Sequence, residues 1–149
     1  MIKLKTYEKS DNNIVAYLQL IQEPINRMST LSAILKGFCA TMVATIIGVD
    51  FKTIEPIILI LSILLVILFA VLDIYYLSLE RRFRFLYNQV RIGEHECNFD
   101  LDIIHANDAE GMQKAKATVC ECIKSMSFLL FYPIMIVICI ILTVLGLMG

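Results

Sequence analysis

Two residues of opposite charge lie inside stretches of the chain that are otherwise apolar. Lys36 falls within Leu31–Val49, and Asp73 falls near the end of Ile57–Leu77. An unpaired charge at the middle of a bilayer costs at least about 2.5–3.5 kcal/mol. Counted from the connection between the two stretches, their depths differ by about one helical turn, which a lysine side chain can reach. The spacing predicts a Lys36–Asp73 ion pair, within one subunit or between two. The alternative is that each side chain extends separately to the headgroups.

Four charged residues follow the second apolar stretch closely: Glu80, Arg81, Arg82 and Arg84. Basic residues at the end of a span usually set its orientation and bind anionic headgroups. A planar guanidinium group can also bind a phosphate ligand. We expect these residues to contact headgroups or a neighbouring subunit, because that is the more common use of charge at a span end.

Four potential zinc ligands lie in the polar part of the chain: His95, Cys97, Cys120 and Cys122. Paired ligands of zinc sites are usually two to four residues apart in the chain, whereas here a single residue separates each pair. On a helix, Cys120 and Cys122 would also diverge by about 200°. Structural thiols are the favoured interpretation, and we expect no metal and no other cofactor.

The chain contains none of the common catalytic motifs, such as HExxH, GxSxG, Walker A or GxGxxG. An enzyme acting on lipid would depend on His95, Asp100, Asp102 and His105. Such a group is more often a solvated surface than a catalytic site. We therefore expect no catalytic residues and no enzymatic activity.

Three apolar stretches contain or flank these residues: Leu31–Val49, Ile57–Leu77 and Ser127–Met148. Each is close to the ~20 residues with which a helix crosses a bilayer. The chain is 58% hydrophobic with a mean hydropathy of +0.75. The pattern predicts an all-α integral membrane protein, with three transmembrane helices and helical extensions outside the lipid. A net charge of −1 argues against a nucleic-acid partner.

The hydropathy pattern divides the chain into four segments. Residues 1–30 are predicted to form a loose arm, up to residue 11, and an amphipathic helix that is kinked or broken at Pro24. This helix can pack on protein or lie in the plane of the headgroups, and the mixed charge of its flanks favours packing. Residues 31–77 form a transmembrane hairpin, residues 78–126 a cytoplasmic helical segment with a loop, and residues 127–149 a third span bent at Pro133.

Within the polar segment, the second helix is expected to continue to about Ile92, where Gly93 provides a stop signal. An irregular stretch follows, with a short strand at Phe99–Ile104. Asn107 or Asp108 can cap a further helix that runs into the third span. The distribution of basic residues places the N-terminus and residues 78–126 in the cytoplasm, and the C-terminus outside.

Small residues recur at spacings of three and four along the first span, at Gly37, Ala40, Ala44 and Gly48. Such a stripe lets helix backbones approach closely. It predicts either an assembly face between subunits or packing against the second or third helix of the same chain.

Two segments resemble a family of small bacterial membrane proteins. Residues 22–37 read QEPINRMSTLSAILKG, and residues 73–87 read DIYYLSLERRFRFLY. They are similar to the family's InRM…LKGw and LDxYYLxxERxFRxLY patterns, with Phe38 in place of tryptophan, and the resemblance spans roughly residues 14–90. The layout also resembles the two-transmembrane SLATT effector domains of bacterial defence systems.

The resemblance implies a homo-oligomer in the bacterial inner membrane that acts as a pore-forming or membrane-disrupting effector of antiviral defence. A cytoplasmic protein or a nucleotide signal would be its trigger. Polar residues within the spans are too sparse to line an obvious aqueous path. The alternative is an adaptor that tethers a soluble partner through residues 78–126.

Overall fold

The computed structural model describes residues 2–47, 56–94, 99–101, 103 and 109–148. Within these ranges the chain is entirely helical apart from turns and short irregular stretches, as the sequence predicts. The helices are α1 (Ile2–Ile47), α2 (Pro56–Ile92), α3 (Ala109–Lys114), α4 (Val119–Ile123) and α5 (Met126–Met148).

Three helices of the described chain are long and apolar enough to cross a membrane, and they lie in α1, α2 and the part of the chain that ends in α5. α5 alone has 23 residues, which gives a length of about 34 Å. In the apolar part of α2 and in α5, the faces that are exposed in the isolated chain consist mainly of large aliphatic residues, such as Ile60, Leu64, Leu130 and Ile134. Such surfaces fit lipid, so the chain is a multi-pass membrane protein.

Helix α1 differs from the prediction at two places. It begins at Ile2, where a loose arm was expected, and it continues through Pro24 without a break. Pro24 removes one backbone hydrogen bond at a cost of about 3 kcal/mol. Because Ile21 and Ile25 are buried on either side of it, packing holds the two halves of the helix in line.

Helix α2 ends as the sequence predicts. Gly93 adopts a positive φ of 78°, its amide donates to the Val90 carbonyl (3.2 Å), and the Glu94 amide donates to the Gln89 carbonyl (3.0 Å). These two bonds form a Schellman motif, in which glycine is favoured because it adopts the left-handed conformation at little cost.

The region after Gly93 corrects two predictions. Phe99 has a φ of 57° and residues 99–101 and 103 form no strand, because this left-handed backbone is incompatible with an extended chain. The helix that was expected to run into the third span ends at Lys114, and Lys116, with a φ of 51°, occupies the left-handed position that closes it. The predicted caps at residues 107 and 108 lie outside the described residues.

The chain packs as two units, each with a core of its own. One unit comprises residues 1–30 and 77–118, and the other comprises residues 31–76 and 119–149. The first core contains Tyr17, Ile21, Ile25, Leu86 and Val90. The second core contains Cys39, Val43, Val66, Ala70, Tyr132, Met135 and Cys139. The amphipathic part of α1 therefore packs on protein, and residues 119–126 group with the apolar helices instead of the polar segment.

Candidate functional site

The predicted ion pair is present within the chain. Lys36 Nζ on α1 lies 2.7 Å from Asp73 Oδ2 on α2. The side chain of Asp73 is 1% exposed and that of Lys36 is 18% exposed. A carboxylate buried to this degree is stable only when it is paired and hydrogen-bonded. The pair therefore fixes α1 to α2 at one level of the hairpin.

Ser32 completes the pairing of the buried carboxylate. Its hydroxyl donates a hydrogen bond to Asp73 Oδ1, and Lys36 Nζ donates to Ser32 Oγ at 2.7 Å. Ser32 lies one helical turn before Lys36, so both side chains emerge on the same side of α1. Each oxygen of Asp73 thus has a partner on α1. Ser32 was not predicted as a site residue, although its i−4 spacing from Lys36 was a usable signal.

Tyr132 brings the third membrane helix to the same place. It lies on α5 and is 1% exposed, and its hydroxyl lies near the carboxylate of Asp73. The hydroxyl also donates to the carbonyl of Phe69, one turn before Asp73, at 3.3 Å. Ser32, Lys36, Asp73 and Tyr132 therefore form a polar cluster that draws on α1, α2 and α5.

The structure divides the predicted small-residue stripe. Ala40 is half-buried and packs against the core of the membrane-spanning unit. Gly37 and Ala44 are exposed, and a Cβ built on Gly37 would meet no atom of the described chain within 4 Å. Gly48 lies outside the described residues. Packing within the chain therefore uses Ala40 and leaves Gly37 and Ala44 open.

The open residues belong to a wider surface that we call the α1 face: Ala33, Gly37, Thr41, Ala44 and Thr45, all exposed. Thr41 Oγ1 donates to the Gly37 carbonyl and Thr45 Oγ1 to the Thr41 carbonyl, both at 2.9 Å. These bonds satisfy the hydroxyl protons without a partner from another helix. The residues of the α1 face are small or weakly polar, and the large apolar side chains of Ile34 and Phe38 are exposed next to them on the same helix.

The charged residues after the second span make contacts inside the chain. Arg81 Nη1 donates to the Lys116 carbonyl at 2.6 Å. Glu80 is buried and accepts a hydrogen bond from Arg84 Nε at 2.8 Å. Their expected contact with headgroups or a neighbouring subunit stays a prediction, but Arg81 and Glu80 also make contacts within the chain that were not predicted from the sequence.

Two further hydrogen bonds lie next to the bond between Arg81 and the Lys116 carbonyl. The Ser78 hydroxyl is buried and donates to the Ala117 carbonyl at 2.7 Å, and Arg82 Nη2 lies 3.3 Å from Ser78 Oγ. The chain at residues 116–117 is therefore fastened to α2 through two consecutive carbonyl groups.

The described part of the chain contains no group of three or more His, Cys, Asp and Glu residues that could hold a metal ion. Cys120 is exposed and Cys122 is buried on α4, so the two side chains lie on different sides of that helix. His95, Cys97, Asp102 and His105 lie outside the described residues. The Asp100 carbonyl accepts a hydrogen bond from the Tyr17 hydroxyl.

Comparison of the chain with family models, curated proteins and solved structures gave no match.

Proposed function

We propose that the protein is a homo-oligomeric membrane effector that permeabilises the bilayer, with the α1 face as the contact between subunits. The observation that carries the proposal is that this face, on a helix apolar enough to span a membrane, is exposed and made of small and weakly polar residues. Another helix can pack closely on these small residues, and the large apolar side chains of Ile34 and Phe38, exposed next to them on α1, would add to the contact.

The polar cluster supports the α1 face from the opposite side. Ser32 and Lys36 hold α1 to Asp73 on α2, and Tyr132 adds α5. With α1 fixed in rotation, Gly37 and Thr41 stay on the outside of the three-helix unit. A repeated contact through this face would place Thr41 and Thr45 between subunits, where their oxygens can accept hydrogen bonds or contact water.

In this proposal, the activating signal binds to the unit formed by residues 1–30 and 77–118. Both α1 and α2 contribute to this unit and to the membrane-spanning unit. A protein or nucleotide signal bound there would act on the same two helices that carry the ion pair. On the basis of the family resemblance, we place the protein in the bacterial inner membrane, with the N-terminus in the cytoplasm and the C-terminus outside.

A second candidate function is an adaptor that anchors a soluble partner. It is favoured by the separate core of the first unit, in which Tyr17 and Ile21 are fully buried against Leu86 and Val90. Such a unit can present a stable binding surface without any pore.

Release of a dye trapped in liposomes distinguishes the two functions. The full chain would be reconstituted at a low protein-to-lipid ratio and tested alone and with cyclic nucleotides. The effector predicts release in at least one condition, and Gly37→Leu, which adds bulk at the proposed contact, should reduce it strongly. Val71→Leu is the matched control, because it adds bulk at an exposed position of α2. Intact liposomes in both conditions would favour the adaptor.

A further inference from the structure

An apolar groove of about 440 Å³ runs along the first turns of α5 in the membrane-spanning unit. Its walls are formed by the side chains of Leu130, Phe131, Ile134 and Met135, and two polar residues, Lys36 and Ser127, complete its lining. Ser127 lies at the beginning of α5, one turn before Phe131. The groove is therefore polar at the end where the helix begins and apolar further along it.

The charged group among the described residues that line the groove is the Lys36 ammonium, which is also part of an ion pair. Asp73 is 1% exposed and is not among the described residues that line the groove, whereas Lys36 is 18% exposed and does line it. A lysine ammonium group has three N–H donors. Within the described chain, one is donated to Ser32 Oγ, and the ammonium group forms an ion pair with Asp73 Oδ2 at 2.7 Å. One donor remains for a ligand in the groove.

We infer that the groove binds an anionic phospholipid, with its phosphate at Lys36 and Ser127 and an acyl chain along Leu130, Phe131 and Ile134. The shape fits because the apolar walls lie in a membrane-spanning helix, where the molecules at hand are lipids. The charge fits because basic pockets between transmembrane helices bind anionic headgroups. A choline headgroup would bring a second cation close to Lys36, which disfavours a zwitterionic lipid. This inference holds whether or not the protein permeabilises membranes.

The chain contains no tryptophan, so a single introduced tryptophan reports on its surroundings alone. Phe131→Trp places the reporter in the groove. Ile140→Trp, at a position that is 47% exposed on the same helix and outside the groove, is the control. Each variant would be reconstituted with brominated phosphatidylglycerol or brominated phosphatidylcholine at equal mole fractions.

We expect the tryptophan at position 131 to be quenched at an about fivefold lower fraction of the anionic lipid than of the zwitterionic lipid. The tryptophan at position 140 should be quenched equally by both. Inorganic phosphate in the buffer should not relieve the quenching, since the bound species is a lipid. Equal quenching by the two lipids at position 131, or relief by phosphate, would overturn the assignment.

The role of Lys36 is tested in the Phe131→Trp background. Lys36→Arg keeps the positive charge and should keep the lipid preference. Lys36→Met together with Asp73→Asn removes both charges without leaving an unpaired carboxylate, and it should abolish the preference. Preference retained in this double variant would show that the groove does not select the headgroup through Lys36, contrary to the inference.

Discussion

Lys36 Nζ and Asp73 Oδ2 lie 2.7 Å apart, and the two residues belong to the two helices of the transmembrane hairpin. Because Asp73 is fully buried and Lys36 is not, the pair has an inner and an outer partner. Removal of the outer partner would leave a buried carboxylate with Ser32 and Tyr132 as its remaining neighbours. Because of this asymmetry, the stability of the fold should depend strongly on Lys36.

The first prediction concerns the coupling between these residues. Lys36→Ala and Asp73→Ala should each lower the free energy of unfolding, Lys36→Ala by about 3–5 kcal/mol because it strands a buried charge. The double variant should lose less than the sum of the two, by about 1–3 kcal/mol. Equilibrium unfolding in mixed detergent micelles measures all four proteins. Additive losses would contradict a direct pair.

The second prediction concerns the attachment of residues 116–117 to α2. Ser78→Ala removes a buried hydrogen bond and should destabilise by about 1 kcal/mol, and Arg81→Ala should act in the same direction. Hydrogen exchange of the amides of residues 115–117 should become faster in both variants. Arg91→Ala is the control, since Arg91 is an exposed basic residue of the same helix.

The third prediction concerns Gly93 and Lys116, the residues with left-handed backbone conformation that follow the ends of α2 and α3. Gly93→Ala should destabilise the protein by about 1 kcal/mol through backbone strain alone, because a Cβ there meets no described atom within 4 Å. Lys116→Gly should have the opposite sign, since glycine relieves the strain at a φ of 51°. Thermal unfolding should show a lower melting temperature for Gly93→Ala and a higher one for Lys116→Gly than for the wild type. A stabilising Gly93→Ala would contradict the Schellman ending of α2.

Much of the fold could be predicted from the sequence, because apolar length and helical periodicity are strong signals. The extent of α2, its ending at Gly93 and the Lys36–Asp73 pair all followed from such counting. The ending of α3 could not be predicted, because a lysine at the left-handed position carries no sequence signal of a helix end. Helix continuity through Pro24 depends on the burial of Ile21 and Ile25, which only the packed structure shows.

The candidate site was predictable in part for a similar reason. A charge in an apolar stretch stands out, whereas Ser32 and Tyr132 are ordinary residues in membrane helices. Likewise, the sequence showed a stripe of small residues but not which of them pack within the chain. The separation of Ala40 from Gly37 and Ala44 required the positions of α2 and α5.

The central claim is that the α1 face joins subunits, and the mass of the protein in a mild detergent with bound lipid tests it most directly. Against 17.0 kDa for one chain, we predict a multiple of that mass for the wild type and for Val71→Leu. Gly37→Leu should shift the protein to 17.0 kDa while its helical content stays the same. A monomeric wild type, or an unchanged multiple in Gly37→Leu, would contradict the claim.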